Sequence, residues 1–312
     1  MSTATATATV AAPVSSTTTK PPVAPQKAPP FAISSVRKGD RWLKILIYGR
    51  QGAGKTTLAG SAVDVSRMRD VLFINIESGD LTFEDNPRIQ NVDKLDQVEV
   101  NNFKQVAKIY EFLSSHCKFR DTDNQEKLRQ YESWLKGCDP EDIKEPRKYR
   151  TVVIDSLTEL EAYCMYGLLG IHGEFDITQI DDDMKTAEFS EYKKNNNMVN
   201  LLVRAFRDLP MNVVIVAAQE YAQDELKRFH YTPALTGKLK TQVQGYFDIV
   251  GYLSRATPDD KGNAPTRLYI QPIGKFDAKN RRASYKESFF DDPTMSSIMK
   301  AVGLMQDVKQ EG

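Results

Sequence analysis

Several features that define other protein classes are missing from this sequence. No run approaches the ~18 consecutive apolar residues that a membrane span requires, so we do not expect an integral membrane protein. The 42 basic and 42 acidic side chains cancel, so the chain is not a histone-like polycation, although one surface can still be basic. The 3 cysteines, Cys117, Cys138 and Cys164, form no CxxC pair. That spacing argues against a zinc cluster and predicts reduced thiols in the cytoplasm.

The N-terminus has low sequence complexity. Residues 1–39 are rich in Ala, Thr, Ser and Pro and offer few large apolar side chains to bury, which predicts a disordered tail. The stretch also lacks the apolar core of a secretory signal. We expect one domain over residues 40–290, followed by a C-terminal segment, 291–312, with a weak helical pattern.

Apolar runs alternate with helical patterns along the domain. Buried strands are predicted at 44–48, 71–76, 151–155 and 213–218, and helices at about 55–67, 102–116, 157–169 and 198–209. The charged stretch 118–150 is interpreted as an insertion with one amphipathic helix around Leu128–Leu135. Three later runs, 249–254, 267–272 and 284–289, predict shorter strands of a meander. This alternation predicts an α/β fold, a mainly parallel central sheet with helices on both faces.

The first predicted strand runs directly into a glycine-rich motif. Gly49-Arg50-Gln51-Gly52-Ala53-Gly54-Lys55-Thr56 fits G-x-x-x-x-G-K-[ST], with a strand before it and a helix after it. Glycines permit the backbone conformations in which several N–H groups converge on one phosphate. We expect Lys55 to reach the β- and γ-phosphates, Thr56 to bind Mg²⁺, and Thr57 to complete the nucleotide contacts. The alternative is a chance glycine-rich turn.

Two acidic residues follow buried strands. Asp155 ends TVVID, which places its carboxylate at the carboxyl edge of the sheet, where it can hold Mg²⁺ through a water in the Walker B role. The alternative is an N-cap of the next helix, a role that Ser156 could equally fill. Glu77 ends FINIE and is expected one strand from the phosphate loop, where it can orient or deprotonate the attacking water.

Other P-loop classes fit less well. The nearest string to a guanine-reading N/T-K-x-D motif is Gly274–Asp277 (GKFD), which lacks the Asn, so ATP is the expected nucleotide. No serine-rich ABC signature is present. A nucleotide kinase needs a mobile arginine-rich lid, and the balanced stretch 118–150 fits that role poorly. A monomeric nucleotide kinase stays open as an alternative.

The placement of Glu77 resembles that in RecA-like ATPases, whose corresponding strand also ends in Glu. Asp155-Ser156 resembles the Walker B pair of these proteins, and Gln219, at the end of VVIVAAQ, resembles their γ-phosphate sensor. The resemblance implies that Gln219 signals to a DNA-binding loop over about 220–244. Asp277–Arg282 (DAKNRR) resembles the K-x-R of RecA-fold ring helicases. That likeness implies that Lys279 and Arg281 reach the ATP of a neighbouring subunit in a ring or filament; the alternative is a plain basic hairpin.

More closely, the chain resembles the phage-type AAA_24 ATP-binding proteins, including the Sak-type single-strand annealing proteins with a RecA-like core. The match runs from Leu46 to about Phe290 through YGRQGAGKTTLA, VLFINIESGD, TVVIDSLTEL, PALTG at 233–237 and DAKNR. It implies an ATPase that handles single-stranded DNA in recombination, in the cytoplasm of a bacterial host. A homo-oligomer and a single-strand-binding protein are the implied partners. The implied DNA contacts are Lys227, Arg228, Tyr231, Lys238 and Lys240.

Charge along the chain supports this function only in part. Residues 225–286 hold 12 Lys/Arg and 5 Asp/Glu, a net charge of +7 that suits a nucleic-acid backbone. Residues 172–194 hold 7 acids and 3 Lys, a net charge of −4, and include Asp181–Asp183, which would repel DNA. This acidic stretch favours a second hypothesis, an ATP-dependent assembly or switch protein that acts on a protein partner.

Overall fold

A computed structural model describes Met1 and residues 41–120, 124–137, 147–171, 186–223, 227–258, 264–281 and 285–305. The chain divides into two compact units, Met1–Gly39 and Asp40–Gly312. The predicted N-terminal tail lies outside the described residues apart from Met1. All helices and strands of the described residues belong to the second unit.

The described residues form a 10-stranded sheet. Its strands are β1 (Lys44–Gly49), β2 (Val71–Asn75), β3 (Leu95–Glu99), β4 (Thr151–Asp155), β5 (Asn212–Gln223), β6 (Phe229–Pro233), β7 (Ile249–Arg255), β8 (Thr266–Tyr269), β9 (Lys279–Asn280) and β10 (Phe289–Asp291). They follow the order β10-β8-β7-β1-β5-β4-β2-β3, with β6 paired to β5 and β9 to β7. The strands from β7 to β3 are parallel, and the other pairings are antiparallel.

Helices cover both faces of this sheet. They are α1 (Lys55–Gly60), α2 (Phe103–Phe119), α3 (Gln125–Lys136), α4 (Leu157–Leu169), α5 (Phe189–Asp208), α6 (Leu239–Gln244) and α7 (Met295–Ala301). Successive residues of a strand point to opposite faces. Leu46 and Tyr48 therefore pack with α2, α4, α5 and α6, whereas Ile45 and Ile47 pack with α1 and α7. The predicted α/β fold, a mainly parallel sheet with helices on both faces, is confirmed. No helix among the described residues is long and apolar enough to cross a membrane.

Several element boundaries differ from the prediction. Helix α1 ends at Gly60 and continues as a 3₁₀ turn over Ser61–Asp64, whereas we predicted a helix to about residue 67. A Cβ at Gly60 would lie 2.6 Å from the ring of Phe83, so this close packing requires glycine. Helix α5 begins well before residue 198, because Glu188 and Glu191 form a capping box. The amphipathic helix predicted inside 118–150 is present as α3.

Strand β3 escaped prediction, and the segment after Gln219 was wrongly predicted to be a loop. Strand β3 is polar and only half buried, so it lacks the apolar run that marks its neighbours. After Gln219, β5 continues and pairs with β6 in an antiparallel hairpin that places Tyr221 opposite Tyr231. Residues 224–226, between these strands, lie outside the described residues, as does the acidic stretch 172–185.

The PALTG turn, Pro233–Gly237, follows the hairpin. The backbone N–H of Thr236 donates to the carboxylate of Glu161 in α4, at 3.1 and 3.2 Å to its two oxygens, and the Thr236 hydroxyl donates to the same group. Glu161 is buried, so this turn is anchored to the helical layer. The Thr236 carbonyl also accepts from the N–H of Leu239, the first residue of α6, at 3.1 Å.

Candidate nucleotide-binding and catalytic site

The phosphate loop joins β1 to α1. Gly52 and Gly54 have φ values of 71° and 91°, in the left-handed region that glycine adopts without strain. A Cβ at Gly49 would lie 2.2 Å from the carbonyl oxygen of Leu253, so the strand can enter the loop only with glycine there. The predicted loop residues, 49–57, therefore adopt the compact turn that the motif requires.

Lys55 lies inside this loop. Its side chain is 9% exposed, and Nζ donates a 3.1 Å hydrogen bond to the carbonyl oxygen of Arg50. Burial lowers the pKa of Lys55, while the nearby carboxylates of Asp155 and Glu77 oppose that shift. A desolvated ammonium group that faces a glycine-rich turn is suited to bind an anionic phosphate.

Thr56 and Asp155 bring two oxygen ligands together. The Thr56 hydroxyl donates to Oδ2 of Asp155 at 2.6 Å. Asp155 is buried, and burial raises its pKa to about 6; the charge of Glu77 adds to the shift and the hydrogen bond from Thr56 opposes it. Hydroxyl and carboxylate oxygens are the ligands that Mg²⁺ prefers. This pair fits the predicted metal site.

Glu77 lies at the same edge of the sheet as Lys55 and Asp155, but it follows a strand more distant from the phosphate loop than predicted. We predicted that it lies one strand from the phosphate loop, but β5 and β4 both stand between β1 and β2. Because the carboxyl ends of these parallel strands meet at one edge, the Glu77 charge still acts on Lys55 and Asp155. Its side chain is exposed, so water can reach it.

One hydrogen bond orients the carboxylate of Glu77, and another closes the turn that carries it. The buried hydroxyl of Ser156 donates to its Oε1 and also accepts from the backbone N–H of Glu159 at 3.3 Å, as the N-cap of α4. The turn that carries Glu77 is closed by Asn75, whose Oδ1 accepts from the Gly79 N–H at 3.0 Å. The sequence identified Ser156 as a possible cap and as the residue that follows Asp155 in the Walker B pair, but it did not reveal the contact with Glu77 and gave no sign of Asn75.

Gln219 borders a cavity beside the first half of the phosphate loop. The cavity has a volume of about 690 Å³ and is lined by Arg50, Gln51, Gly52, Ala53, Gln219, Tyr231, Tyr252, Ser254 and Arg255. The hydroxyl of Tyr252 donates to Oε1 of Gln219 at 3.0 Å. The predicted γ-phosphate sensor therefore lies next to the phosphate loop.

The predicted DNA-binding residues divide into two groups. Lys227, Arg228 and Lys238 are exposed. Lys240 instead forms an ion pair with Glu220. The ring of Tyr231 is half buried and stacks on Tyr252, with centroids 5.6 Å apart and the planes 9° from parallel. Tyr231 therefore faces the cavity beside the phosphate loop.

The hairpin also presents an aromatic pair that the sequence interpretation missed. The rings of Tyr221 and Phe229 stack with centroids 4.8 Å apart and the planes 3° from parallel. They are 54% and 49% exposed. The two residues are adjacent only because β5 pairs with β6, which a loop assignment does not reveal.

Lys279 and Arg281 bind backbone of their own chain. Nζ of Lys279 donates to the carbonyl of Gln244 at 2.9 Å, and Arg281 donates to the carbonyl of Gly245 at 2.6 Å. These carbonyls end α6 and precede β7, at the amino end of that strand, whereas the phosphate loop follows the carboxyl end of β1. Arg282 lies outside the described residues.

The sequence of this chain matches the model of a known protein family. The family model AAA_24, described as an AAA domain, matches residues 41–282, which is more than half of the chain. This chain belongs to the AAA_24 family. Membership confirms the family resemblance and supports a P-loop ATPase. The family match does not distinguish Sak-type proteins from other AAA_24 members.

Among solved structures, this AAA_24 chain is similar to a KaiC-like protein from the hyperthermophilic archaeon Pyrococcus horikoshii OT3. The similarity has 13% identity, covers 79% of this chain and 83% of that one, and gives a TM-score of 0.39. No curated protein matches the sequence.

Proposed function

We propose that this AAA_24 protein is a magnesium-dependent ATPase that binds single-stranded DNA and acts in recombination or annealing, as the Sak-type resemblance implies. The carboxyl edge of the sheet supports the ATPase part. Lys55 and the loop amides bind the phosphates, and Thr56 and Asp155 hold the metal. Bound Mg²⁺ neutralises charge on the β- and γ-phosphates. Glu77, oriented by Ser156, accepts a hydrogen bond or a proton from the attacking water.

The exposed Tyr221–Phe229 pair carries the DNA part of the proposal. Stacking a base on an aromatic side chain contributes about 1–3 kcal/mol and tolerates any sequence, because every base has a π-face. Lys227 and Arg228 are exposed and directly precede Phe229 in the chain, so they can neutralise the phosphate backbone. Strand β5 carries both Gln219 and Tyr221, so the candidate DNA surface and the ATP site share one element.

Binding of a fluorescent oligo-dT strand at moderate salt tests the DNA proposal. We expect wild-type protein to bind the single strand more tightly than a duplex of the same length. Because two stacking contacts are lost, the Tyr221→Ala/Phe229→Ala variant should bind at least ~10-fold more weakly. Tyr166→Ala removes an aromatic of similar exposure, 44%, from α4 and should leave the affinity unchanged. Equal binding by all three proteins, or no binding by wild type, would overturn the proposal.

The ATPase rate separates this function from its rivals. We expect single-stranded DNA to raise the rate of ATP hydrolysis. The rival function, an assembly or switch protein, predicts a rate that ignores DNA and responds to a protein partner. The exposed side chains of Phe189 (85%) and Tyr192 (44%) at the start of α5 would suit such a partner. Phosphotransfer to a nucleoside monophosphate would instead indicate a nucleotide kinase.

We further propose that the protein works as a ring or filament in which Lys279 and Arg281 act on ATP held by a neighbouring subunit. Their position supports a role in trans, because they lie beside the amino end of β7 rather than beside their own phosphate loop. In such an assembly they would exchange backbone carbonyls for phosphate oxygens, to which cations bind more strongly.

A further inference from the structure

The hydroxyl of Tyr252 fixes the orientation of the Gln219 amide. It donates to Oε1 of Gln219 at 3.0 Å, which occupies the carbonyl end of the amide. The NH₂ end is then left to donate. Phosphate oxygens accept hydrogen bonds and cannot donate them, so a γ-phosphate sensor has to present its NH₂ group. The Tyr252 hydroxyl holds Gln219 in the orientation that this task needs.

The ring of Tyr252 belongs to a continuous series of aromatic ring contacts, called here the aromatic stack. It lies 5.6 Å from the ring of Tyr231, which lies 5.1 Å from that of Tyr221. Tyr221 in turn stacks on Phe229 at 4.8 Å. The stack therefore runs from the cavity beside the phosphate loop to the exposed end of the hairpin. A base stacked on Tyr221 and Phe229 would contact rings that are connected, through Tyr231 and Tyr252, to Gln219.

Tyr48 ties the hairpin backbone to the strand that enters the phosphate loop. Its hydroxyl proton is shared between the carbonyl oxygens of Tyr231, at 3.0 Å, and Asp277. Its ring lies 5.3 Å from the ring of Tyr252. Tyr48 is fully buried and directly precedes Gly49. Tyr48 therefore links Tyr231 and Tyr252 to β1. A shift of the hairpin would also displace Tyr252.

We propose that Tyr252 is a positioning residue for Gln219 and that the aromatic stack couples DNA at the hairpin to ATP hydrolysis. The first half of this inference concerns hydrolysis without DNA and rests on the Tyr252–Gln219 hydrogen bond and on the proposed role of Gln219 as γ-phosphate sensor. The second half rests on the proposed function, because it needs DNA on the outer pair of rings.

Steady-state ATP hydrolysis without DNA tests the first half. Tyr252→Phe keeps the ring and removes the hydroxyl, so kcat should fall about threefold to tenfold, as loss of one hydrogen bond predicts, with KM for ATP within about twofold of wild type. Tyr269→Phe is the matched control, since its ring belongs to the same cluster, 6.4 Å from that of Tyr252, and does not line the cavity. Its kcat should equal that of wild type. Thermal melting should show that both variants are folded.

A double mutant separates positioning from a general structural effect. If Tyr252 acts through Gln219, the change Tyr252→Phe should cost less than about twofold in kcat once Gln219 is Ala. If Tyr252 only supports the fold, its loss should multiply with that of Gln219→Ala. Multiplicative losses, or a Tyr252→Phe rate equal to that of Tyr269→Phe, would overturn the first half.

Stimulation by oligo-dT tests the second half. Tyr252→Phe should bind the strand with wild-type affinity but lose most of the rise in ATPase rate. Full stimulation of Tyr252→Phe would overturn the coupling while leaving the proposed function intact. If wild-type protein binds no single strand, the proposed function and the coupling both fail, and the DNA-free comparison still decides whether Tyr252 positions Gln219.

Discussion

The hydroxyl of Ser156 donates a hydrogen bond to Oε1 of Glu77, a residue that lies 79 positions earlier in the chain. Ser156 follows β4 and Glu77 follows β2, so the contact exists because these parallel strands are neighbours with their carboxyl ends at one edge. The same hydroxyl accepts from the Glu159 N–H and caps α4. One buried side chain therefore joins the start of a helix to the carboxylate that acts on water.

Replacing Ser156 with Ala should lower kcat for ATP hydrolysis substantially and reduce the stability of the fold only modestly. Without the hydroxyl, Glu77 loses its orientation, and we expect kcat to fall at least ~10-fold, while loss of the cap costs about 1 kcal/mol of stability. Thr294→Ala removes the equivalent cap of α7, which contributes no residue to the site, and should lower stability without changing kcat. Parallel measurement of kcat and thermal melting checks this; a wild-type kcat for Ser156→Ala would contradict it.

Magnesium binding should depend on the protonation of Asp155. Burial raises the pKa of Asp155 from 3.8 to about 6, so below pH 6 a proton competes with the metal. We expect the apparent affinity for Mg²⁺ in the presence of ATP to fall about tenfold per pH unit below pH 6 and to be flat above pH 7. Asp155→Asn is the control, because ATP itself still titrates in this variant whereas the side chain at position 155 no longer does. An equal pH dependence in both proteins would exclude Asp155 as the titrating ligand.

Glu132 in α3 should make the protein less stable as pH rises. It is fully buried, and burial raises its pKa from 4.5 to about 8. Between these values the folded protein holds a proton that the unfolded chain has released, so the free energy of unfolding falls as pH rises from 4.5 to 8. At pH 8, Glu132→Gln should therefore be more stable than wild type by on the order of 1–3 kcal/mol.

Denaturant unfolding at pH 5 and pH 8 measures that difference. At pH 5 the gap between wild type and Glu132→Gln should nearly vanish. Glu126→Gln, at an exposed position in the first turn of the same helix, should follow wild type at both pH values. A gap that is the same at both pH values would show that Glu132 does not titrate in this range.

Mixing two inactive variants tests the shared ATP site. Glu77→Gln protein lacks the residue that acts on water, and Arg281→Ala protein lacks the proposed cation from the neighbour. If Arg281 acts in trans, mixed assemblies contain some complete sites, and up to about a quarter of wild-type activity should return. Glu77→Gln mixed with Lys286→Ala protein, an exposed change outside the site, calibrates the mixing. No recovery in the first mixture would contradict a role in trans.

The sequence predicted those parts of the site that depend on short stretches of chain. The phosphate loop is a local motif, and Gly52 and Gly54 have the positive φ values that it requires. Asp155 follows an apolar run that can only be a buried strand, so its place at the carboxyl edge followed directly. In each case neighbours in the sequence determine the geometry.

The rest of the site depends on which strands pair, and a single sequence does not reveal that order. Two strands separate Glu77 from the phosphate loop, contrary to the prediction, because β5 and β4 lie between β1 and β2. The Tyr221–Phe229 pair exists only in the β5–β6 register. The Tyr252–Gln219 hydrogen bond joins residues on two strands that are both neighbours of β1.

The account depends on Glu77 acting on the water that attacks ATP bound at Lys55 and Thr56. Its most direct test measures ATP affinity and single-turnover hydrolysis of wild type and Glu77→Gln in the presence of Mg²⁺. We predict that Glu77→Gln binds ATP within about threefold of wild type and hydrolyses it at least ~100-fold more slowly, because binding and water activation rest on different residues. Hydrolysis by Glu77→Gln at the wild-type rate, or no binding of ATP by either protein, would contradict the account.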